Sequence, residues 1–279
     1  MQDVRGLNAV VTGGGDGIGR AIALEAARAG MNVAILDIRE EVAEVAAAAC
    51  AAEGVNAIAV RCDVSIEAEI ETAAKKTRNH LGATNLLWIN AGLGIPYGLI
   101  NAPRDALRWL YAVNVDGLID TARAFVPAMR AEKGWRHVGI TGSMAGLVQM
   151  PESGPAAYAA SKYAAVGIAE ALRAELKSDG IGVTLFCPGT ANTRIWDGGR
   201  ARPDRFGGPV HLPEAVGERW RQVGMDVDEI ARIAFAAARV GTFYAVVPED
   251  AARAARLDAR YDAIKAAVWL PAMPRARSL

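Results

Sequence analysis

Thr12-Gly13-Gly14-Gly15-Asp16-Gly17-Ile18-Gly19 is the stretch on which the fold turns. It follows a short apolar run, residues 7–12, and opens a segment of helical period, residues 17–30. Glycines at a strand-to-helix junction permit a tight turn and let a phosphate approach backbone N–H groups at the positive end of a helix. The strict G-x-G-x-x-G spacing is absent; the pattern here is T-G-x-x-x-G-x-G. A turn that merely joins two elements is the plain alternative, and the surrounding chain has to decide.

Outward from that turn the same rhythm repeats. Apolar runs at residues 32–37, 55–63, 85–90, 136–142, 181–187 and 242–247 alternate with helical segments at 40–53, 66–80, 103–130, 155–178 and 227–239. The runs are rich in Val, Ile and Leu without clean alternation, as a sheet covered on both faces requires. The pattern predicts an α/β doubly wound (Rossmann) fold, a mostly parallel seven-stranded sheet with helices on both faces and right-handed crossovers. The rhythm breaks over 193–225, where glycines and prolines mix with Trp196, Phe206, Trp220 and several arginines. A loop of that length in a compact domain reads as a substrate loop. Residues 250–279 form a C-terminal helical extension, with Leu257, Tyr261, Ile264 and Val268 on one face and Arg253, Arg256 and Arg260 off it. Residues 1–279 are thus read as one domain.

Composition narrows the class. Of 279 residues 52 % are hydrophobic and 22 % charged, which is globular composition. Lys+Arg and Asp+Glu number 31 each, so there is no basic excess for nucleic acid. No run approaches the roughly 20 apolar residues of a membrane helix, and the N-terminus reads as the approach to a strand rather than as a signal peptide. Cys50, Cys62 and Cys187 are too scattered for a disulfide framework, and His80, His137 and His211 too isolated for a metal site or a Ser-His-Asp triad. The expectation is a cytoplasmic protein with reduced thiols, no metal, and a small molecule as its partner.

Two further features carry chemistry. Asp37 ends the second strand, where a carboxylate can accept from both hydroxyls of an adenosine ribose and repels a 2′-phosphate. It could instead cap the helix that follows, but beside the glycine turn the ribose role is preferred. The turn holds no basic residue and contains Asp16, so NAD is favoured over NADP despite Arg39. Tyr158-Ala159-Ala160-Ser161-Lys162 lies in a helical segment, and the i, i+4 spacing puts phenol and ammonium on one face. A phenol of pKa ~10 is a poor base at neutral pH, and a neighbouring cation favours the phenolate. In isolation such a pair is more often a solvated helix surface.

Together these features resemble the short-chain dehydrogenase/reductase family, and the matches run in order along nearly the whole chain. Thr12, Gly13, Gly17 and Gly19 match its cofactor turn, with Gly15, Asp16 and Ile18 between them; Asp37 and Ile38 match the ribose position. Asp63-Val64 matches the pair beside the adenine, and Asn90-Ala91-Gly92 the motif after strand four, with Ile89 where the family has a second asparagine. Asn114, Ser143, Tyr158 and Lys162 fall on the catalytic tetrad. Pro188, Gly189, Thr190 and Thr193 fall on the segment beside the nicotinamide. The interval from Ser143 to Tyr158 is slightly longer than is common, and the C-terminal helix goes beyond where many members stop.

The resemblance implies an NAD-dependent interconversion of a secondary alcohol and a ketone. Tyr158 would be the acid/base, and Lys162 would hold the nicotinamide ribose and lower the tyrosine pKa. Ser143 would orient the substrate oxygen, and Asn114 would position a water that relays the proton. A 3-oxoacyl-type carbonyl reductase and a non-catalytic dinucleotide-binding module are the alternatives; Asp37 speaks against the first and the complete tetrad against the second. Leu93, Ile95, Pro96, Tyr97, Met144, Val148, Met150, Ile195, Trp196 and Trp220 suggest a hydrophobic or aromatic substrate. A faint likeness to members acting on lignin-derived aryl-alkyl ether alcohols points the same way. Arg194, Arg200, Arg202 and Arg205 read as a solvated loop face rather than as a grip on a substrate anion. The family's pairing of the helices after strands four and five implies a homo-oligomer, a tetramer or otherwise a dimer.

Overall fold

Strand β1 (Asn8–Thr12) lies inside the sheet, flanked by β2 (Asn32–Asp37) and β4 (Leu86–Ile89). Beyond β2 comes β3 (Ala57–Arg61); beyond β4 come β5 (His137–Thr141), β6 (Gly182–Pro188) and β7 (Tyr244–Val247). The order is β3-β2-β1-β4-β5-β6-β7, and the pairings are parallel throughout rather than mostly so. The computed structural model describes residues 1–148, 155–211, 218, 221–248 and 250–268. Met150, Trp220 and residues 269–279 of the expected extension lie outside them.

Alternate residues of each inner strand supply two cores. Val10, Leu36, Leu87 and Ile89 face one way, onto α3 (Glu67–Leu81), α5 (Gly117–Ala131) and α6 (Ala156–Leu176). Val11, Ile35, Leu86 and Trp88 face the other, onto the alanine-rich α1 (Gly17–Arg28), α2 (Glu40–Ala51) and α7 (Val227–Val240). Both faces are dry, which is why the strand sequences show no polar alternation. The strand order reverses between β1 and β4, so a crevice opens beyond their carboxyl ends.

Two elements differ from expectation. The helix read over 103–130 is three pieces: α4 (Arg104–Tyr111), a π segment (Ala112–Asp116) and α5. The Gly117 N–H reaches back to the Ala112 carbonyl. Gly117 lies so close to Val64 that a β-carbon there would come 2.5 Å from its carbonyl oxygen. The extension forms α8 (Ala251–Ala266), but its faces are not as read. Tyr261 and Ile264 are 42 % and 48 % exposed, whereas Arg253 is buried and Arg260 lies 5.0 Å from the Tyr163 ring of α6. Only Leu257 of the apolar stripe packs against the core.

Candidate active site

The glycine turn is fastened to the end of β4. Thr12 Oγ1 accepts from the backbone N–H groups of Asn90 (3.0 Å) and Ala91 (3.1 Å), and Asn90 Nδ2 donates to the Gly13 carbonyl at 3.1 Å. Gly13 has φ +60, and a β-carbon there would come 2.8 Å from Ala91 Cα. A β-carbon at Gly19 would collide with the Gly13 carbonyl and Asn90 Nδ2. The turn therefore holds glycine because two pieces of backbone meet there.

Asp37 closes one side of the crevice at 6 % exposure. Its Oδ2 accepts from Gly15 N (3.1 Å) and its Oδ1 from Arg39 N (3.1 Å). It does not cap α2, whose N-cap is Arg39 without a side-chain bond. Asp63 lies beyond β3; its Oδ1 accepts from the Ser65 N–H and hydroxyl, and its Oδ2 from Arg205 Nη2 at 2.7 Å.

At the far end Ser143 follows β5, and Tyr158 and Lys162 lie in the first turns of α6. Ser143 Oγ accepts from Ala145 N at 3.1 Å, and its hydroxyl lies beside the Tyr158 phenol, whose pKa it lowers. The Trp196 ring meets Tyr158 edge-on, 5.2 Å between centroids. Lys162 Nζ donates to the Thr141 carbonyl at 2.9 Å and lies 5.8 Å from the Tyr158 ring centroid. Burial pushes the Tyr158 phenol up to about 12 against the effect of Ser143, and pulls the Lys162 ammonium down to about 8. Desolvation disfavours both charged forms and is the largest influence on each.

One cavity joins the two ends. Asp37, Ile38, Asp63 and Val64 line its first part, Gly13, Asp16, Gly17, Ile18 and Asn90-Ala91-Gly92 its floor, and Ser143, Tyr158, Lys162 and Pro188-Gly189-Thr190 its far part. Thr193 joins the wall, its side chain against Gly17. Thr12, Gly15, Gly19 and Asn114 do not line it; they support the wall from behind. Asn114 Oδ1 accepts from Leu93 N, and its Nδ2 donates to the Leu93 carbonyl and to Ser161 Oγ. Its amide therefore ties the π segment to α6 and to the loop after β4. The closed crevice, its glycine floor and its paired carboxylates fit an elongated dinucleotide: backbone N–H groups at the α1 terminus for phosphate, Asp37 for a ribose, Lys162 and Tyr158 at the other end.

The loop arginines combine solvent exposure with specific partners: Arg194 and Arg205 are exposed, Arg200 and Arg202 half-buried. Arg194 bonds Asp16 (2.8 Å), Arg200 bonds Asp197 (2.7 Å), Arg202 donates to the Gly208 carbonyl (2.6 Å), and Arg205 spans Asp63 and Ser65. Local charge pattern could not show this, because Arg194 and Asp16 stand 178 positions apart. Arg253, read as pointing away, contributes to the cavity wall instead; its i, i+4 relation to Leu257 was the available signal. No helix among the described residues is long and apolar enough to cross a membrane.

A parallel doubly wound sheet with this crevice, and with a serine, a tyrosine and a lysine gathered at one end of it, defines the class of dinucleotide-dependent oxidoreductases. The short chain dehydrogenase family model matches residues 7–203, and the chain belongs to the short-chain dehydrogenase/reductase family, whose members use NAD or NADP. It is 35 % identical over 222 residues to 1-deoxy-11-beta-hydroxypentalenate dehydrogenase of Streptomyces exfoliatus, covering 78 % of this chain and 80 % of that one. A family member from Burkholderia phymatum, solved in complex with NAD, superposes with a TM-score of 0.87 at 29 % identity over 99 % of this chain and 100 % of that one. The apo form of LigO from Sphingobium sp. strain SYK-6 gives 0.78 at 30 % identity, over 96 % and 90 %.

Proposed function

We propose that this oxidoreductase interconverts a secondary alcohol and a ketone, using NAD, on a hydrophobic or aromatic substrate. The observation that carries the reading is the gathering of Ser143, Tyr158 and Lys162 in one cavity that Asp37 closes at its other side. A bound nicotinamide would supply the hydride acceptor or donor, and in its oxidised form a positive charge. Tyr158, kept protonated by burial, is set to deliver its proton to a carbonyl oxygen as that oxygen gains charge. Ser143 donates to the same oxygen, and Lys162 replenishes the tyrosine from the direction of solvent. In the reverse direction the phenol must first lose its proton, which the added positive charge makes easier. The catalytic set is then Ser143, Tyr158 and Lys162, with Asn114 as the residue that fixes the helix of the last two.

Asp37 favours NAD, since its buried charge faces the position a 2′-phosphate would share. The NAD-bound Burkholderia phymatum structure is consistent with that choice. Ile195 and Trp196, in the loop 193–225, give the substrate an apolar wall beside Leu93 and Met144. The Streptomyces relative, named for a hydroxypentalenate, accords with a bulky apolar alcohol. The test follows NADH absorbance across a panel of secondary alcohols and ketones, beside Tyr158→Phe. That variant keeps the ring and removes the proton, so turnover should fall at least ~10²-fold while NAD binding stays near normal. Near-normal turnover in Tyr158→Phe would refute the reading.

A further inference from the structure

Asp16 gathers three arginines around one carboxylate oxygen. Its Oδ1 accepts from Gly17 N at 2.8 Å and so caps α1. Its Oδ2 accepts from Arg194 Nη2 (2.8 Å) and Nε (3.1 Å), and faces Arg39 Nη2 at 3.5 Å and Arg200 Nη2 at 3.6 Å. Arg39 is shared with Asp37 at 3.7 Å, and Arg200 gives its other terminal nitrogen to Asp197. Asp16 and all three arginines line the cavity beside the glycine turn. Arg194 follows Thr193, whose side chain lies against Gly17, so this guanidinium stands over the floor where α1 begins.

We infer that Arg194 and Arg200 are the side chains that take the cofactor's diphosphate, and that Asp16 is the internal anion they exchange for it. The inference rests on the dinucleotide reading of the cavity. A carboxylate oxygen shared by several guanidinium groups leaves each with donors to spare, and Arg forks match phosphate oxygens bidentately. The surroundings of Arg200 are positive: burial first, then Arg39 and Arg194, hold its guanidinium below its ordinary value. Burial works against Asp16, yet the Arg194 hydrogen bond and charge keep its carboxyl below the usual range, so it stays ionised. A diphosphate arriving at the N-terminus of α1 offers these cations more acceptor oxygens, and the helix end adds its own attraction. Because both arginines lie in the stretch that also carries Ile195 and Trp196, cofactor affinity and the placement of the substrate wall share the same two side chains.

Calorimetric titration of wild type, Arg194→Ala, Arg200→Ala and Asp16→Asn with NAD, ADP-ribose, NADP and adenosine tests this. Each alanine variant should bind NAD and ADP-ribose about tenfold more weakly, with a shallower salt dependence, and adenosine within about twofold of wild type. Asp16→Asn keeps an oxygen for the Gly17 N–H and removes the competing charge, so NAD should bind more tightly than to wild type. Unchanged NAD and ADP-ribose affinities in both alanine variants would overturn the inference while leaving the dinucleotide reading intact. A loss confined to NADP would overturn it too and mark the cluster as a 2′-phosphate site. Wild type that binds neither NAD nor ADP-ribose would instead remove the reading of the cavity itself.

Discussion

Asp37 reaches the cavity with one carboxylate oxygen on Gly15 N and the other on Arg39 N, so its position is fixed by the glycine turn it serves. A 2′-phosphate brought beside that buried charge meets repulsion that little water screens. Asp37→Ala should reduce the preference for NAD over NADP at least tenfold, read as the ratio of kcat/KM values; an unchanged ratio would mean that the preference lies elsewhere. His137 makes a different kind of prediction. Thr184 gives its one hydroxyl hydrogen to the Thr242 carbonyl (2.7 Å), so it must accept from His137 Nε2 (2.8 Å), and the ring is neutral with its proton on Nε2. Burial pulls this histidine down to about 4 from 6.5. Between those values the unfolded chain binds a proton that the folded chain excludes, so stability falls as pH drops through that window, by up to ~1.4 kcal/mol per unit. Urea midpoints at pH 6.5 and 4.5 should converge in His137→Phe relative to wild type; an equal drop in both would exclude this histidine as the cause.

At the scale of elements, β4 and β5 fit together through one large and one absent side chain. Trp88 lies across Gly139 and fixes its indole by donating to Thr141 Oγ1 at 2.9 Å. A β-carbon at Gly139 would run into that ring, which is fully buried and cannot swing aside. Gly139→Ala should therefore destabilise the protein by about 1–3 kcal/mol in urea unfolding; a variant as stable as wild type would show that the strands separate easily. Strand and helix positions were legible because period and composition are local properties, and β2 falls on its expected residues 32–37. The π segment was not legible. The bulge is held by Leu93 and Ser161, which lie outside the helix and far from it in sequence. The faces of α8 were misread for a related reason: its amphipathic pattern does not say which neighbour it meets, and it turns Arg253 inward and Tyr261 outward.

Across the whole molecule, the outward surface of α6 carries Gly167, Ala171 and Ala174, while Ala165 and Ala169 of the same helix face the sheet. Tyr244, Tyr261 and Ile264 are exposed on β7 and α8 beside it. Small residues that admit close helix approach, next to exposed apolar ones, suit a two-fold interface. Light scattering at micromolar concentration is expected to show a homo-oligomer, a tetramer or otherwise a dimer; a monomer would overturn this. By itself the sequence determined the parallel layered architecture, the glycine turn, and the candidate Ser143, Tyr158 and Lys162 with Asp37 at the other end, since each lies in a motif or a periodicity that short stretches of chain contain. Only the tertiary structure decided how those groups are charged and who accompanies them. The tyrosine is raised by desolvation, because burial is a property of everything packed around it. Two arginines of the loop find carboxylate partners, because Arg194 meets Asp16 and Arg205 meets Asp63 only after crossovers have brought together residues 178 and 142 positions apart.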